Sequence, residues 1–385
     1  MPTAQGGRAA GALASGTSGT SGARHRWRRP RSWRRRRWQA ALGVLAVVLG
    51  TVLAAVGLGI GLPRLGVGIV GAVLALSVAV VGVVFVVAGT LALVRVSRGW
   101  WRVPVALVAA VASLLGAYLL TTPVIASVPP RSAAGTAAPP AGAEEVFFRT
   151  ADGVRLAAWY VPSGTGAAVV LMHGSGSSRA AVVDHAEVLA AAGYGVLAVD
   201  ARGHGESSGR GMRWGWFGDA DVGAAVTYLT GRDDVDPARI AAVGLSMGGE
   251  EVIGAAAGDE RIRAVVAEGV TGRTAADLGW LSEGYGWRGS LQEALEVVRT
   301  AAADLLSPAA PPPPLRDAVA ETAPRPVLLV VAGTVEEEAL AAADLAEHGA
   351  VTVWTVEGAD HMGGLGADPD GWTTTVVGFL DAATR

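Results

Sequence analysis

Three long stretches near the amino terminus of this chain carry no charged residue. They cover residues 39–62, 65–94 and 103–128 and consist mostly of Ala, Val, Leu and Gly. At about 1.5 Å per helical residue, each stretch is longer than the roughly 30 Å hydrocarbon core of a bilayer. A buried helix of a soluble protein is rarely apolar on every side over such a length. The sequence therefore predicts three transmembrane helices within residues 39–128.

Arginines flank these stretches unevenly. Nine of them lie within residues 24–37, one follows the first stretch, and three lie within 95–102. Positively charged flanks stay in the cytoplasm. We therefore expect a disordered, basic cytoplasmic tail over residues 1–38 and a multi-pass cell-membrane protein whose third helix ends on the extracellular side. The tryptophans among the arginines are also typical of a nucleic-acid patch, but the apolar stretches that follow favour the lipid bilayer as partner and no nucleic acid.

Charge divides the chain into two parts. Residues 1–143 have a net charge of +15 and contain no acid, whereas residues 144–385 have a net charge of −18. Residues 129–143, rich in Pro, Ala and Gly, are predicted to link them. The second part is long enough for one globular domain with a sizeable core. The chain has neither cysteine nor lysine, which excludes disulfides, thiolate chemistry and sites that need a lysine amine.

Strand and helix patterns alternate throughout residues 144–385. A hairpin is predicted for "EVFFRTADGVRLAAWYVP". Buried strands are predicted at 167–174, 195–200, 240–246, 262–269, 325–333 and 351–358. Helices are predicted at 180–192, 217–230, 247–257, 337–348 and 371–383. Such alternation indicates a mostly parallel sheet with helices on both faces.

Ser246 stands where a predicted strand meets a predicted helix, in "RIAAVGLSMGGEE". A serine hydroxyl is a poor nucleophile unless a base takes its proton. A tight strand-to-helix turn raises the serine oxygen above the sheet and requires very small neighbours, which Gly244 and Gly248 provide. The same pattern surrounds Ser207 in "GESSG", but that segment lacks the adjoining strand and helix. Ser246 is therefore the predicted nucleophile.

A base and an oxyanion-binding pair can also be located. His361, in "VEGADHMGG", follows the last strand at the carboxyl edge of the sheet, where catalytic residues collect. Of the six histidines, His185 and His348 fall inside predicted helices and are expected at the surface. The backbone amides of Ser175, in "HGSGSS", and Met247 could hold a developing oxyanion, and each such donor contributes about 3 kcal/mol.

These segments resemble the alpha/beta-hydrolase superfamily. The resemblance rests on "TADGVRLAAWYVP", "HGSGSS", "DARGHGES", "GLSMGG" and "GADH", which occur in the family's order and cover nearly all of residues 144–385. It implies an alpha/beta-hydrolase fold and a membrane-anchored serine hydrolase that cleaves an ester, thioester or amide of a small or lipid-like acyl substrate, without metal or cofactor. It implies Ser246 as nucleophile, His361 as base, and Met247 with Ser175 as the oxyanion hole.

The resemblance also implies an acid that orients the histidine. The family usually places an aspartate three residues after the glycine that closes the penultimate strand. Glu336 stands three residues after Gly333 in this chain, so Glu336 is the predicted acid. Glu337 and Glu268 are the alternatives.

An insertion over residues 270–323 is predicted to form a small lid. Its aromatic residues Trp280, Tyr285 and Trp287 either line an acyl pocket or pack the lid against the domain. Two other functions stay open at this point: an acyltransferase of the cell envelope that uses the same acyl-enzyme, and a non-catalytic binding module tethered to the membrane.

Overall fold

The computed structural model describes residues 31–384 and begins with three long helices. These are α1 (Arg31–Gly61), α2 (Ile69–Val96) and α3 (Arg102–Ser127). All three are long and apolar enough to cross a membrane. Residues 1–30 of the predicted tail lie outside the described residues. The prediction of disorder up to residue 38 is wrong for 31–38, because arginine is a good helix former and α1 continues into its basic flank.

Glycines allow α1 and α2 to pack backbone against backbone. A Cβ atom on Gly50 would lie 2.6 Å from the carbonyl oxygen of Gly82, and one on Gly57 would lie 2.6 Å from that of Ala75. Most large apolar side chains of the helices point outward and are exposed, as with Val70 at 70%. Small residues between helices and apolar residues around them are typical of helices packed within lipid.

Eight strands form one sheet in residues 144–356. They are β1 (Glu144–Arg149), β2 (Arg155–Val161), β3 (Ala168–Met172), β4 (Gly195–Asp200), β5 (Ile240–Leu245), β6 (Ile262–Glu268), β7 (Val327–Ala332) and β8 (Val351–Val356). Their order in the sheet is β1-β2-β4-β3-β5-β6-β7-β8. Only β2 breaks the parallel run, by pairing antiparallel with β1 and β4. The predicted fold, a mostly parallel sheet preceded by three apolar helices, is confirmed.

Helices cover both faces of this sheet. The helices that follow β3 in the chain are α4 (Val183–Ala191), α5 (Gly218–Thr230), α6 (Met247–Gly258), α7 (Trp280–Tyr285), α8 (Trp287–Leu306), α9 (Leu315–Thr322), α10 (Glu336–Ala346), α11 (Gly364–Ala367), α12 (Pro369–Trp372) and α13 (Gly378–Thr384), of which α7 and α8 belong to the insertion. Every residue of β3, β4, β5 and β7 is buried, because helices cover both faces of these strands. The carboxyl ends of the parallel strands consequently meet at one exposed edge.

The segment that joins the two parts lies against this edge. The amide of Gly205, in the loop after β4, donates to the carbonyl of Ser132 at 3.1 Å. The hydroxyl of Ser178, in the loop after β3, donates to the carbonyl of Ala134 at 2.8 Å. Residues 129–143 therefore hold the domain close to α3.

Candidate active site

Ser246 lies in a strained turn between β5 and α6. Its φ of 53° and ψ of −120° are unusual for a residue that is not glycine, and such strain persists only where the surrounding structure imposes it. The Ser246 amide donates to the carbonyl of Glu268 at 2.7 Å, which fixes the turn to the neighbouring strand β6. The hydroxyl is therefore held at the carboxyl edge of the sheet.

Close backbone approach explains the two glycines beside Ser246. A Cβ on Gly248 would lie 2.7 Å from the carbonyl oxygen of Met172 at the end of β3, and one on Gly244 would collide with the carbonyl of Gly248. Real Cβ atoms essentially never come so close to backbone. The turn consequently excludes any side chain at these positions, as its sequence pattern predicts.

His361 lies beside Ser246 although the two residues are 115 positions apart in the chain. The Nε2 atom of His361 is 3.0 Å from the Oγ atom of Ser246, which is hydrogen-bond distance. His361 is in the loop between β8 and α11, and its side chain is 44% exposed. The structure therefore brings together the predicted nucleophile and the predicted base.

Glu338, rather than the predicted Glu336, contacts His361. The Oε1 atom of Glu338 is 2.6 Å from Nδ1 of His361, and its Oε2 atom accepts a hydrogen bond from the amide of Ala332 at 2.9 Å. Glu338 is 1% exposed, whereas Glu336 and Glu337 are exposed. The prediction is wrong because α10 begins at Glu336, and two residues along a helix rotate a side chain by about 200°.

The carboxylate of Glu338 governs the charge state of His361. Its hydrogen bond is the main cause that raises the pKa of His361 above the ordinary value of 6.5, and partial burial opposes it. The charges of Glu338, Glu250 and Glu268 add to the rise in pKa. Because Glu338 accepts at Nδ1, the neutral imidazole carries its proton there and leaves Nε2 free to accept from Ser246.

Comparison with known proteins agrees with this architecture. An esterase of Pyrococcus furiosus, Pf2001, superposes with a TM-score of 0.53 at 24% sequence identity, over 67% of this chain and 99% of that chain. The chain has the alpha/beta-hydrolase fold. A family described as serine aminopeptidase, S33, matches residues 164–297. That segment of the hydrolase fold contains Ser246 but neither His361 nor Glu338.

Curated relatives match shorter segments of the chain. An uncharacterized protein of Mycobacterium tuberculosis is 41% identical over 120 residues, which are 30% of this chain and 42% of that protein. The thiohydrolase aneE of Aspergillus aculeatus is 35% identical over 131 residues, 32% of this chain and 40% of that protein. The chain thus spans less than half the length of these relatives.

Two backbone amides at the same edge as Ser246 are free to donate hydrogen bonds to a bound substrate. Among the residues that the structure describes, the amides of Ser175 and Met247 have no hydrogen-bond acceptor. Met247 is the first residue of α6, and Ser175 lies three residues after Met172, which pairs with Gly244 in the sheet. Both predicted oxyanion donors therefore lie at the same edge as Ser246.

Glu268, an alternative for the acid, holds the far side of the histidine loop. It accepts from the amide of Gly364 at 2.8 Å and from Nε1 of Trp372 at 3.1 Å. Burial raises the pKa of Glu268.

His185, predicted at the surface, is instead 7% exposed and packs edge-on against Trp372 at 5.2 Å. Burial lowers the pKa of His185 to about 4.

Glu250, which is not among the residues predicted from the sequence, links helix α6 to the insertion. Its Oε1 atom accepts from the amides of Thr271 and Gly272, at 3.2 and 2.7 Å. Burial raises the pKa of Glu250 to about 7. The only feature of the sequence that points to Glu250 is its spacing, because it follows Ser246 by four residues, or about one helical turn, and so lies on the same side of α6.

The other residues singled out in the sequence lie away from the contacts of Ser246, His361 and Glu338. Ser207 is fully buried; it donates to the carbonyl of Asp200 and accepts from the amide of Ala157. Trp280 is buried against α10, with Ala341 in its cluster, so it packs the insertion onto the domain. Trp287 is 74% exposed and does neither of the two things predicted for it.

Proposed function

We propose that this chain is a membrane-anchored serine hydrolase that cleaves an ester, thioester or amide through an acyl-enzyme. The observation that carries the proposal is the continuous chain of contacts from the hydroxyl of Ser246 through the imidazole of His361 to the carboxylate of Glu338, at 3.0 and 2.6 Å. A nucleophile, a base and an orienting acid in this order are what activation of a serine requires.

Each step of the reaction has a group in place for it. As the Oγ atom of Ser246 attacks the substrate's carbonyl carbon, Nε2 of His361 takes its proton, and Glu338 stabilises the resulting imidazolium. The carbonyl oxygen becomes an oxyanion, for which the amides of Ser175 and Met247 are the donors. His361 then gives its proton to the leaving group. A water molecule, deprotonated by His361, releases the acid and restores Ser246.

The membrane arrangement is the second part of the proposal. Three helices long and apolar enough to span a bilayer precede the domain, and nine arginines within residues 24–37 precede the first apolar stretch, residues 39–62. Positively charged flanks stay inside, so the amino terminus is cytoplasmic and the hydrolase domain extracellular. Proteolysis of intact cells tests this: an external protease digests the domain, and a domain that survives until the cells are lysed contradicts the orientation.

A fluorophosphonate probe tests the chemistry. The full chain in detergent should be labelled, and Ser246→Ala should abolish labelling while leaving the thermal midpoint nearly unchanged. Ser207→Ala is the matched control, because it removes the serine of the other G-x-S-x-G pattern. It should retain labelling, although its thermal midpoint falls because the amide of Ala157 loses its acceptor. Equal labelling of wild type and Ser246→Ala would refute Ser246 as the nucleophile, and absence of labelling in the wild type would leave a binding module as the alternative.

A further inference from the structure

Helix α8 carries an apolar stripe on the side that faces away from the protein. At about 100° per residue, its four large apolar members lie within an arc of about 40° and extend over about 27 Å. They are Trp287, Leu291, Val298 and Leu305, with exposures of 74%, 53%, 47% and 88%. We call these four residues the α8 stripe.

The opposite side of α8 packs on the hydrolase domain. Its buried members are Gly289, Glu296 and Ala303. Ala303 is fully buried in a cluster with Trp216, and Gly289 contacts the backbone of Leu281. An amphipathic helix of a soluble protein turns its large apolar residues toward the core. In α8 they point outward, which indicates a second apolar medium on that side.

The helix also packs directly against α3. The hydroxyl of Ser127, at the end of α3, lies 3.5 Å from the carbonyl oxygen of Ala303. The guanidinium of Arg299 lies 5.6 Å from the centre of the Tyr118 ring. Tyr118 precedes Ser127 by nine residues, or about 13 Å of helix. Contacts with α8 therefore extend from the end of α3 into its membrane-spanning part.

The catalytic edge of the sheet is on the same side as the membrane helices. The amide of Arg213, in the loop between β4 and α5, donates to the carbonyl of Ala126 in α3 at 2.9 Å. Gly205, in the same loop, is bonded to Ser132. Loops that follow parallel strands lie at the carboxyl edge, where Ser246 also lies. This edge and α8 thus both adjoin the place where α3 ends.

We propose that the α8 stripe lies in the bilayer that α1, α2 and α3 span, at the boundary between head groups and acyl chains, and holds the catalytic edge against the lipid surface. Lipid is the occupant because α8 packs against α3, a helix long and apolar enough to cross a membrane, at both Ser127 and Tyr118, while the stripe on its other side is exposed. Interfacial helices bury their apolar face about 5–10 Å deep. It follows, resting on the proposed function, that the substrate is an acyl ester or thioester carried in the bilayer.

The absence of cysteine from the chain allows a direct test of where the stripe lies. A polarity-sensitive fluorophore is attached to Val298→Cys, on the stripe, and to Gln292→Cys, an exposed position off it. The full chain is reconstituted in vesicles of phosphatidylcholine and phosphatidylglycerol. The label at 298 should emit at shorter wavelength, be quenched by lipids brominated in the acyl chain and be protected from iodide. The label at 292 should be quenched by iodide.

Two results would overturn the placement. One is equal iodide quenching at 298 and 292. The other is a label at 298 that is shielded from both quenchers and becomes accessible on dilution of the protein in lipid, because a second copy of the chain then covers the stripe. Neither measurement depends on hydrolysis.

A kinetic test addresses the substrate class. The double variant Leu291→Glu/Val298→Glu should hydrolyse a water-soluble short-chain ester within about twofold of wild type but lose about tenfold or more on a long-chain ester embedded in vesicles. The control Ser290→Glu/Gln292→Glu, with the same added charge on exposed positions of the same helix, should retain both activities. Equal loss on both esters would refute bilayer delivery. If wild type hydrolyses neither ester, the proposed function fails, and the quenching result still decides where α8 lies.

Discussion

Replacement of Glu338 by glutamine should remove most of the activity without unfolding the protein. In the wild type, one carboxylate oxygen accepts from the amide of Ala332 and the other from Nδ1 of His361. The amide of Ala332 still needs an acceptor in the variant, so the glutamine oxygen turns toward it. The glutamine NH₂ then faces His361 and donates to Nδ1. The imidazole must carry its proton on Nε2, where it cannot accept from Ser246.

The expected loss follows from this change of tautomer. A charged hydrogen bond alone contributes about 1.5–3 kcal/mol, which is about 10- to 150-fold in rate. The wrong tautomer adds to it, and the corresponding acid-to-amide change in serine proteases lowers kcat about 10⁴-fold. We therefore expect Glu338→Gln to lower kcat/KM for a soluble ester by about 10³- to 10⁴-fold, and to slow fluorophosphonate labelling similarly.

The chain offers a matched control two residues away. Glu336→Gln makes the same chemical change at an exposed position of the same helix turn and should stay within about twofold of wild type. The pH profile gives a second readout. Only neutral His361 accepts a proton, so the acid limb of kcat/KM lies above pH 6.5 in the wild type, and any residual activity of Glu338→Gln should have its acid limb at lower pH. Loss of activity in Glu336→Gln with retention in Glu338→Gln would refute this assignment.

Two further changes test the packing around the site. Gly248→Ala places a Cβ 2.7 Å from the carbonyl oxygen of Met172. The variant should lower the free energy of unfolding by about 1–3 kcal/mol, as measured by urea denaturation. A urea midpoint equal to that of the wild type would show that the turn has room for the methyl group. Burial raises the pKa of Glu250 from 4.5 to about 7, so the folded state binds this proton more tightly than the unfolded state, and stability falls as pH rises from 4.5 to 7. Glu250→Gln removes the charge; it should raise stability by up to about 3 kcal/mol at pH 8 and change it little at pH 4, and equal effects at both pH values would contradict the role of burial.

The sheet and two of the three contacting side chains could be read from the sequence because their signals are local. Buried parallel strands are continuous apolar runs, and Ser246 is marked by the strand, the glycines and the helix around it. His361 is marked by its place after the last strand. Both residues follow a strand of the sheet and therefore lie at its carboxyl edge. A correct prediction of the strand order is enough to place them there.

The acid could not be assigned in this way because its position depends on where a helix begins. Residues 336–338 are three consecutive glutamates, and a shift of one residue in the start of α10 changes which of them faces the sheet. Spacing from Gly333 carries no such information. His185 was misplaced for a related reason, since the ring that buries it, Trp372, lies far along the chain.

Glu338 and Glu268 act on His361 by different physical routes, and their variants should differ accordingly. Glu268 does not contact the imidazole; it binds the amide of Gly364 and the indole of Trp372, and so fixes the loop three residues beyond His361. In Glu268→Gln one oxygen acceptor becomes an NH₂ group, and one of these two donors loses its partner. The loop then shifts and kcat should fall by about tenfold, but the imidazole still donates to Glu338. The acid limb of the pH profile should therefore move far less in Glu268→Gln than in Glu338→Gln. An equal shift in both variants would show that the charge of Glu268 raises the pKa of His361 as much as Glu338 does.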